Sequence, residues 1–127
     1  MADARFLLDS NTCIYVLEGI SEPLRRQIER RRPGEIVSSA VVYAEVMRGI
    51  DPTDSAALAK VDHLFETIPV LPFDESAAKA YSRVPFRRGS FDRLIAAHAL
   101  SLGLSVVTSN AADFADVPGL DVEDWTQ

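Results

Sequence analysis

Short apolar segments alternate along this chain with longer segments of helical periodicity, and this alternation restricts the folds that it can adopt. Apolar runs predict strands at residues 6–8, 35–38, 68–71 and 104–108, and residues 120–123 could add a last one. Amphipathic spacing and end signals predict helices at residues 11–17, 23–32, 40–48, 54–66, 74–84 and 91–102. Because Pro69 has no N–H to donate, the third strand should lie at an edge. We therefore expect an α/β fold in three layers, with a central, mostly parallel sheet flanked by helices.

The size and composition of the chain are sufficient for one domain that spans residues 1–127. With 127 residues, 47% of them hydrophobic, a full core can form without a disulfide or a structural metal. The single cysteine, Cys13, cannot form an internal disulfide, and two histidines are too few for a usual structural zinc site. Asp3 and Arg5 interrupt the start of the chain, and no apolar run approaches the roughly 20 residues of a membrane span. We expect a soluble, cytoplasmic protein that does not bind membranes.

The formal net charge of −6 bears on the choice of partners. Proteins that bind nucleic acids usually carry a basic surface, so this charge argues against an RNA partner at first. Acidic side chains that are gathered in one pocket can, however, be neutralised by divalent cations. The charge therefore does not exclude RNA, and it also leaves room for a basic protein partner.

Four acidic residues stand out by their positions relative to the predicted strands and helices. Asp9 directly follows the first strand, and Asp113 lies in the polar stretch after the strand at 104–108. Each could simply cap a turn or a helix. Asp92 lies in the first turn of the last helix, where the helix dipole alone would favour an acid by roughly 0.3–1 kcal/mol. Glu45 lies in an apolar helix and could pair with an arginine such as Arg48.

The four positions together favour a common site over four separate explanations. Independent caps and ion pairs would scatter acids over the surface, whereas most of these acids follow apolar strands. In parallel sheets, ligands bind beyond the carboxyl ends of the strands. Asn11, Thr108 and Asn110 add uncharged polar groups at the same expected edge. Closely packed carboxylates repel one another, so at least one of their pKa values should be raised when no metal is bound.

Four segments contain the acids and most of the polar residues described above: Leu7-Leu8-Asp9-Ser10-Asn11, Ala44-Glu45-Val46-Met47-Arg48-Gly49, Asp92-Arg93-Leu94-Ile95-Ala96-Ala97 and Val107-Thr108-Ser109-Asn110-Ala111-Ala112-Asp113-Phe114. These segments resemble the motifs of PIN-domain nucleases, and most closely those of the VapC toxins of type II toxin–antitoxin modules. Residues 117–125 also resemble the usual end of a VapC chain. Each motif alone is weak, but four of them in order, over about the whole chain, make a specific pattern.

The resemblance implies a Mg²⁺- or Mn²⁺-dependent endoribonuclease with a PIN-like fold. Such toxins cut selected RNAs, are held inactive by a VapB antitoxin, and commonly form homodimers or toxin–antitoxin hetero-oligomers. The acids of the family correspond to Asp9, Glu45, Asp92 and Asp113, and all four are expected at the metal site. Asp9 and Asp92 are the first candidates for direct metal ligands, Glu45 would help directly or through water, and Asp113 would support a second metal or orient the attacking water.

The remaining positions of the motifs agree with this pattern. Thr108 corresponds to the small polar residue of the fourth motif, and Asn11 to the asparagine of the first. Ser10 stands where the family often has threonine, and it keeps the hydroxyl group. Hard oxygen ligands of this kind suit Mg²⁺ and Mn²⁺.

Other functions are compatible with parts of the sequence. A phosphatase of the haloacid-dehalogenase type needs a second aspartate two residues after the first, where this chain has Asn11. A receiver domain needs a lysine after a late strand, but Lys60 and Lys79 lie in predicted helices. Two alternatives use the same motifs and stay open. These are a PIN nuclease of RNA processing and a catalytically silent binding partner or co-repressor.

Several other residues are interpreted from their local context. His63 and His98 are expected to be structural or solvated, and Cys13 to be a small core residue. The arginines of residues 25–32 form either a solvated helix face paired with nearby glutamates or a surface for RNA or a partner. Arg87, Arg88 and Arg93 are close to Asp92 in the sequence, and are therefore candidates for binding substrate phosphates.

Overall fold

The computed structural model describes residues 3–127, in which strands and helices alternate as the sequence predicts. The strands are β1 (Phe6–Leu8), β2 (Ile36–Ser39), β3 (Val70–Leu71), β4 (Ser105–Val107) and β5 (Val122–Glu123). The helices are α1 (Ser10–Glu18), α2 (Glu22–Glu29), α3 (Ala40–Arg48), α4 (Ser55–Thr67), α5 (Glu75–Ala80) and α6 (Asp92–Leu102). Short 3₁₀ helices, Tyr81–Arg83 and Ala111–Phe114, follow α5 and β4. None of the helices in this part of the chain is long and apolar enough to cross a membrane.

The strands form one parallel sheet in the order β3-β2-β1-β4-β5. The expected α/β class, with a parallel sheet flanked by helices, is confirmed. The chain leaves the central strand β1 for β2 and β3 on one side, and then returns to add β4 and β5 on the other. The order of the strands thus reverses at β1 and β4, and sheets of this kind bind ligands at the carboxyl ends of such strands. The edge position predicted for the third strand from Pro69 is also confirmed.

The core is built around β1. Phe6, Leu7 and Leu8 are all buried. Since successive side chains of a strand point to opposite faces, burial of all three means that both faces of the sheet are covered. Trp125 packs edge-on against Phe6, with ring centroids 4.9 Å apart, and this contact fixes the C-terminal segment to the core. Cys13 is fully buried, as expected, and burial raises the pKa of its thiol to about 12.

Two of the predicted helices differ from the structure in their ends. The helix expected at 74–84 ends at Ala80 and continues as the 3₁₀ helix Tyr81–Arg83. Val84 then has an extended backbone, because the ring of Pro85 disfavours the helical conformation in the residue before it. The helix expected at 23–32 begins at Glu22, after the cap Ser21, and ends at Glu29.

Candidate active site

Asp9 stands at the carboxyl end of β1, next to the carboxyl end of β4. Its backbone N–H donates to the carbonyl of Val107 at 3.0 Å, which joins the ends of the two strands. Its side-chain Oδ1 accepts the N–H of Thr12 at 2.9 Å and caps α1. The residue is only 3% exposed. Burial and the negative charge of Asp113 raise the pKa of Asp9, whereas hydrogen bonds with Thr108 and Thr12 act in the opposite direction.

Two threonines support the carboxylate of Asp9 and the strand ends. The hydroxyl of Thr12 donates to the carbonyl of Val107 at 3.1 Å, and Thr12 is buried. The hydroxyl of Thr108, which follows β4, accepts the backbone N–H of Asn110 at 2.9 Å. Thr108 was predicted from the sequence, but Thr12 was not. Its position three residues after Asp9, at the N3 position of a helix capped by that aspartate, is the signal that could have identified it.

Glu45 comes to the site from the middle of α3. The hydroxyl of Ser10 donates to its Oε1 at 2.5 Å. Among the described residues, no arginine or lysine lies within ion-pair distance of Glu45, so the alternative of a pair with Arg48 is wrong. Ser10 immediately follows Asp9 and therefore connects α3 to the end of β1. This hydrogen bond holds the Glu45 carboxylate beside the strand ends.

Asp92 begins α6, and the three other acids act on it. Partial burial and the negative charges of Asp9, Asp113 and Glu45 raise the pKa of Asp92, while the charge of Arg93 opposes them. Carboxylates change one another's pKa values in this way only when they are neighbours in the fold. The structure therefore brings the four acids together, although they come from four separate segments of the chain. Asn11 and Asn110, at the same edge, are both exposed.

Arg93 does not have the position that the sequence suggested. It is fully buried, and its Nη1 donates to both carboxylate oxygens of Asp116, at 3.0 and 3.1 Å, and to the carbonyl of Pro85 at 3.3 Å. Its Nη2 donates to the backbone carbonyl of Asp113. The prediction that Arg93 binds substrate phosphates is wrong, because its charge is enclosed and already paired. Instead, Arg93 fixes the 3₁₀ helix that carries Asp113 against the first turn of α6.

The two other arginines of this group remain exposed. The Nη2 atom of Arg87 lies 3.4 Å from Oδ2 of Asp116, and Arg88 is exposed a few residues before the start of α6. The sequence did not point to Asp116. Arg93 precedes the apolar run Leu94-Ile95-Ala96-Ala97, and a guanidinium that is buried there needs a counter-charge, which was the available signal.

His98 is structural, as expected. It is buried in α6, and its Nδ1 lies 2.8 Å from the hydroxyl of Ser39, which caps α3. Burial lowers the pKa of His98, although Asp74 acts in the opposite direction. The contact joins the two helices that carry Glu45 and Asp92. His63 is exposed on α4.

The basic run at 25–32 is mainly a solvated face of α2. Arg25 pairs with Glu22 at 2.5 Å and with Glu29 at 3.0 Å, and Arg26 also pairs with Glu22. The guanidinium of Arg31 lies over the ring of Phe6, 4.6 Å from its centroid. The interpretation as a helix face paired with its own glutamates is confirmed for Arg25 and Arg26.

The chemistry of the four carboxylates fits a hard divalent cation. In residues 3–127, no three histidine, cysteine or acidic side chains converge closely enough to form a complete metal site. Mg²⁺ does not require one, because it is usually held by one or two carboxylates, with waters and substrate phosphates as its other ligands. Burial, and to a smaller extent repulsion between the acids, raise the pKa values of Asp9 and Asp92, and a bound cation would relieve this repulsion.

Comparison with known proteins identifies the family. Residues 6–120 match the family model of the PIN domain. The chain is 32% identical to the tRNA(fMet)-specific endonuclease VapC of Salmonella typhimurium, over 95% of this chain and 98% of that protein. It is 26% identical to Ribonuclease VapC1 of Haemophilus influenzae strain R2866, over 96% and 98% of the two chains.

Solved structures agree with this similarity. The chain matches the crystal structure of the DNA-bound VapBC of Salmonella typhimurium with a TM-score of 0.86 and 30% identity, over 96% of this chain and 98% of that chain. It matches VapBC-1 from nontypeable Haemophilus influenzae with a TM-score of 0.82 and 26% identity, over 96% and 98%. The resemblance seen in the motifs is thus confirmed, and the chain belongs to the PIN domain family and, within it, to the VapC ribonucleases.

Proposed function

We propose that this chain is a divalent-metal-dependent endoribonuclease that acts as the toxin of a VapBC-type module and is neutralised by a cognate antitoxin. The observation that carries the proposal is the meeting of four carboxylates at the reversal point of the sheet. Burial raises the pKa of Asp92, and the charges of Asp9, Asp113 and Glu45 raise it further, although these acids come from distant parts of the chain. Proteins rarely hold so many like charges together unless function requires it.

Each acid is assigned a role on this basis. Asp9 and Asp92 are the proposed direct metal ligands, and Ser10 holds Glu45 so that it helps directly or through water. Asp113, positioned through its backbone by Arg93, orients the attacking water or supports a second metal. Asn11, Thr108 and Asn110 supply supporting polar contacts. When bound, Mg²⁺ or Mn²⁺ supplies charge neutralisation on the phosphate and acidifies water.

The decisive experiment compares cleavage of a labelled RNA by wild type, Asp92→Asn and Asp9→Asn. The tRNA named for the Salmonella relative is the first RNA to test. We expect cleavage with Mg²⁺ or Mn²⁺, its loss in EDTA, and a decrease of at least about 100-fold in both variants. Asp62→Asn, an exposed acid of α4, is the matched control and should cut as wild type does. If Asp92→Asn cuts as fast as wild type, the assignment is wrong.

The antitoxin partner is proposed from the solved relatives, which are VapBC complexes. An apolar groove of about 540 Å³ between α1, α2 and α4, lined by Leu17, Ile28 and Leu64 among others, offers a surface for a helix of that partner. We expect co-expressed antitoxin to co-purify with the chain as a hetero-oligomer and to suppress cleavage. Leu17→Asp should weaken the complex without reducing the cleavage of RNA by the free chain.

A second function has some support, because relatives were solved on DNA as VapBC complexes. A silent co-repressor would bind promoter DNA with its antitoxin but would cut no RNA. Metal-dependent cleavage that EDTA abolishes separates this alternative from the first. A PIN nuclease of RNA processing would cut RNA but would be harmless when expressed alone in the cytoplasm. Growth arrest on expression without antitoxin would favour the toxin.

A further inference from the structure

A small pocket at the amino end of the sheet is lined entirely by charged side chains. It has a volume of about 360 Å³, and its lining consists of four arginines and two acids: Asp3, Arg5, Arg30, Arg31, Arg32 and Glu35. Arg5 directly precedes β1 and Glu35 directly precedes β2. The backbone N–H of Arg5 donates to the carbonyl of Glu35 at 2.8 Å, which joins the starts of the two strands. This concavity is called the amino-end pocket below.

The amino-end pocket is separate from the acid cluster. Arg5 precedes the strand that Asp9 follows, so the length of β1, roughly 13 Å between these two residues, lies between them. The arginines at 30–32 follow α2 and are not the ones that pair with the glutamates of that helix. The function proposed above therefore uses no residue of this pocket.

Two guanidinium groups of the pocket lie over the same aromatic ring. Cζ of Arg31 lies 4.6 Å from the ring centroid of Phe6 and 4.9 Å from that of Trp125, and Cζ of Arg5 lies 4.9 Å from the centroid of Phe6. Both rings are buried, and Nη2 of Arg31 donates to the side chain of Gln27 at 3.2 Å. These contacts hold the guanidinium of Arg31 in place without neutralising its charge.

The positive charges of the pocket exceed its negative charges. The carboxylate of Glu35 accepts Nη1 of Arg5 at 3.4 Å and the backbone N–H of Arg32 at 3.1 Å, so it is already in use. Arg30, Arg31 and Arg32 form no ion pair with any residue that the structure describes. Four arginines and two acids leave an excess of two positive charges, in a chain whose formal net charge is −6.

Two simpler explanations account for only part of this arrangement. The negative end of the dipole of α2 favours cations, but its effect is confined to the last turn and does not explain Arg5, which comes from another segment. Solvation by water explains single exposed arginines, but several like charges that share one pocket repel one another. A bound anion would relieve this repulsion.

We propose that the amino-end pocket binds a phosphate dianion, which free phosphate, mononucleotides and the phosphorylated end of a nucleic acid all provide. Planar guanidinium groups form paired hydrogen bonds with phosphate oxygens. A phosphate monoester carries about −1.5 to −2 charges near pH 7, which matches the excess charge of the pocket. A phosphodiester within a nucleic-acid chain carries a single negative charge. Arg30 and Arg32 donate to the phosphate oxygens, and Arg31 supplies a fixed positive charge.

The test is an NMR titration of the backbone amides of the full chain in EDTA, at constant ionic strength. EDTA removes any divalent cation that could hold phosphate at the acid cluster. The probes are inorganic phosphate, AMP and dimethyl phosphate, which is a singly charged diester. We expect inorganic phosphate and AMP to shift the amides of residues 30–35 and of Arg5 in a saturable way. Dimethyl phosphate should bind roughly 10-fold more weakly, because it carries half the charge.

Variants separate the site from the general charge of the surface. Arg30→Gln and Arg32→Gln change exposed side chains, so both chains should fold, and each should bind phosphate about 10-fold more weakly than wild type. Arg83→Gln is the matched control. Arg83 is also exposed and forms no ion pair within residues 3–127, and it lies outside the pocket. This control should bind phosphate as wild type does.

The source of the phosphate is identified by comparing the probes with a short RNA that ends in a 5′-phosphate and with the same RNA ending in a 5′-hydroxyl. Tighter binding of AMP than of inorganic phosphate would identify a nucleotide as the ligand. Tighter binding of the phosphorylated RNA than of AMP and of the hydroxyl-ended RNA would identify the end of an RNA. Equal affinity for inorganic phosphate and AMP would indicate that the phosphate group alone is recognised.

Several results would overturn the inference. Absence of saturable binding of any dianionic probe, or shifts that are confined to the acid cluster, would contradict it. So would dimethyl phosphate that binds as tightly as inorganic phosphate, or an Arg83→Gln chain that is weakened as much as Arg30→Gln. Equal binding of the two RNAs without binding of AMP would assign the arginines to the nucleic-acid backbone instead. These outcomes do not bear on the proposed ribonuclease function, which is tested separately by cleavage in Mg²⁺.

Discussion

Two substitutions can separate the effect of the negative charge of Asp9 from the effect of its hydrogen bond that caps α1. The carboxylate caps α1 by accepting the N–H of Thr12, and it is also a buried negative charge beside Asp113. Asparagine caps a helix about as well as aspartate does, but it carries no charge. Alanine loses both properties. We expect both Asp9→Asn and Asp9→Ala to lose RNA cleavage, and we expect their stabilities to differ.

Without divalent ions at neutral pH, we expect Asp9→Asn to be the most stable of the three chains, wild type to be intermediate and Asp9→Ala to be the least stable. Burial and Asp113 raise the pKa of Asp9, so the ionised form destabilises the fold and its removal stabilises it. Loss of the cap in Asp9→Ala costs about 0.5–2 kcal/mol. At about 4 °C per kcal/mol for a chain of this size, the melting temperature should fall by roughly 2–8 °C relative to Asp9→Asn.

The pH dependence has a definite sign. The folded pKa of Asp9 lies above the unfolded value of 3.8, so the folded state binds more protons between these two values. Wild type therefore loses stability relative to Asp9→Asn as the pH rises from 3.8 through the folded pKa. Below pH 3.8, Asp9 is protonated in both states and the difference disappears.

Thermal unfolding followed by circular dichroism measures these differences in EDTA and in increasing Mg²⁺. A ligand that binds only the folded state stabilises it by RT ln(1 + [L]/Kd), which is about 2.7 kcal/mol at 100 times Kd. Mg²⁺ should stabilise wild type far more than either variant. Equal stabilisation of all three chains would exclude Asp9 from the metal site. An Asp9→Asn chain that melts below wild type in EDTA would refute the electrostatic argument.

Three further predictions concern contacts around the acids. Arg93→Met removes charge-assisted hydrogen bonds to Asp116, whose side chain is 39% exposed, so each bond contributes less than a fully buried one would. We expect the free energy of unfolding, measured in urea, to fall by about 2–3 kcal/mol. An unchanged free energy of unfolding would contradict this role of Arg93. Burial lowers the pKa of His98, so the stability of wild type should fall as the pH drops below the unfolded value of 6.5 toward the folded pKa. His98→Asn should not show this loss of stability when its melting temperature is compared with that of wild type across the same pH range. Ser10→Ala should reduce kcat for RNA about 10-fold because it releases Glu45, whereas Ser10→Thr should retain activity. If Ser10→Ala cuts RNA as fast as wild type, Ser10 does not contribute to the site.

Most of the fold was predictable because local patterns determine it. Short apolar runs separated by amphipathic helices leave few arrangements other than a covered parallel sheet, and Pro69 indicated that β3 would lie at an edge of that sheet. The ends of α2 and α5 were less predictable. Helix ends depend on capping and on single steric effects, such as that of Pro85 on Val84, which compete with a continuing helical pattern.

The acid cluster was predictable in part, because the carboxyl ends of neighbouring parallel strands must meet. The position of Asp9 follows from this rule directly, while the position of Glu45 depends on how α3 packs against α1. Arg93 shows the limit of the sequence. Proximity to Asp92 suggested a phosphate contact, but the partner that encloses its charge, Asp116, lies in the turn after a 3₁₀ helix. No local pattern specifies where such a turn places a carboxylate.

The net charge of −6 has a more specific meaning once the charges are located. Arg25 and Arg26 are neutralised by glutamates of their own helix, and Arg93 by Asp116, so these arginines are not available to a polyanion. The acids of the site repel RNA unless a divalent cation is present. Five exposed arginines form no ion pair among the described residues and stay available to phosphates: Arg30, Arg32, Arg48, Arg83 and Arg88. RNA binding should therefore weaken as monovalent salt rises, and it should also require a divalent cation that neutralises the acids of the site.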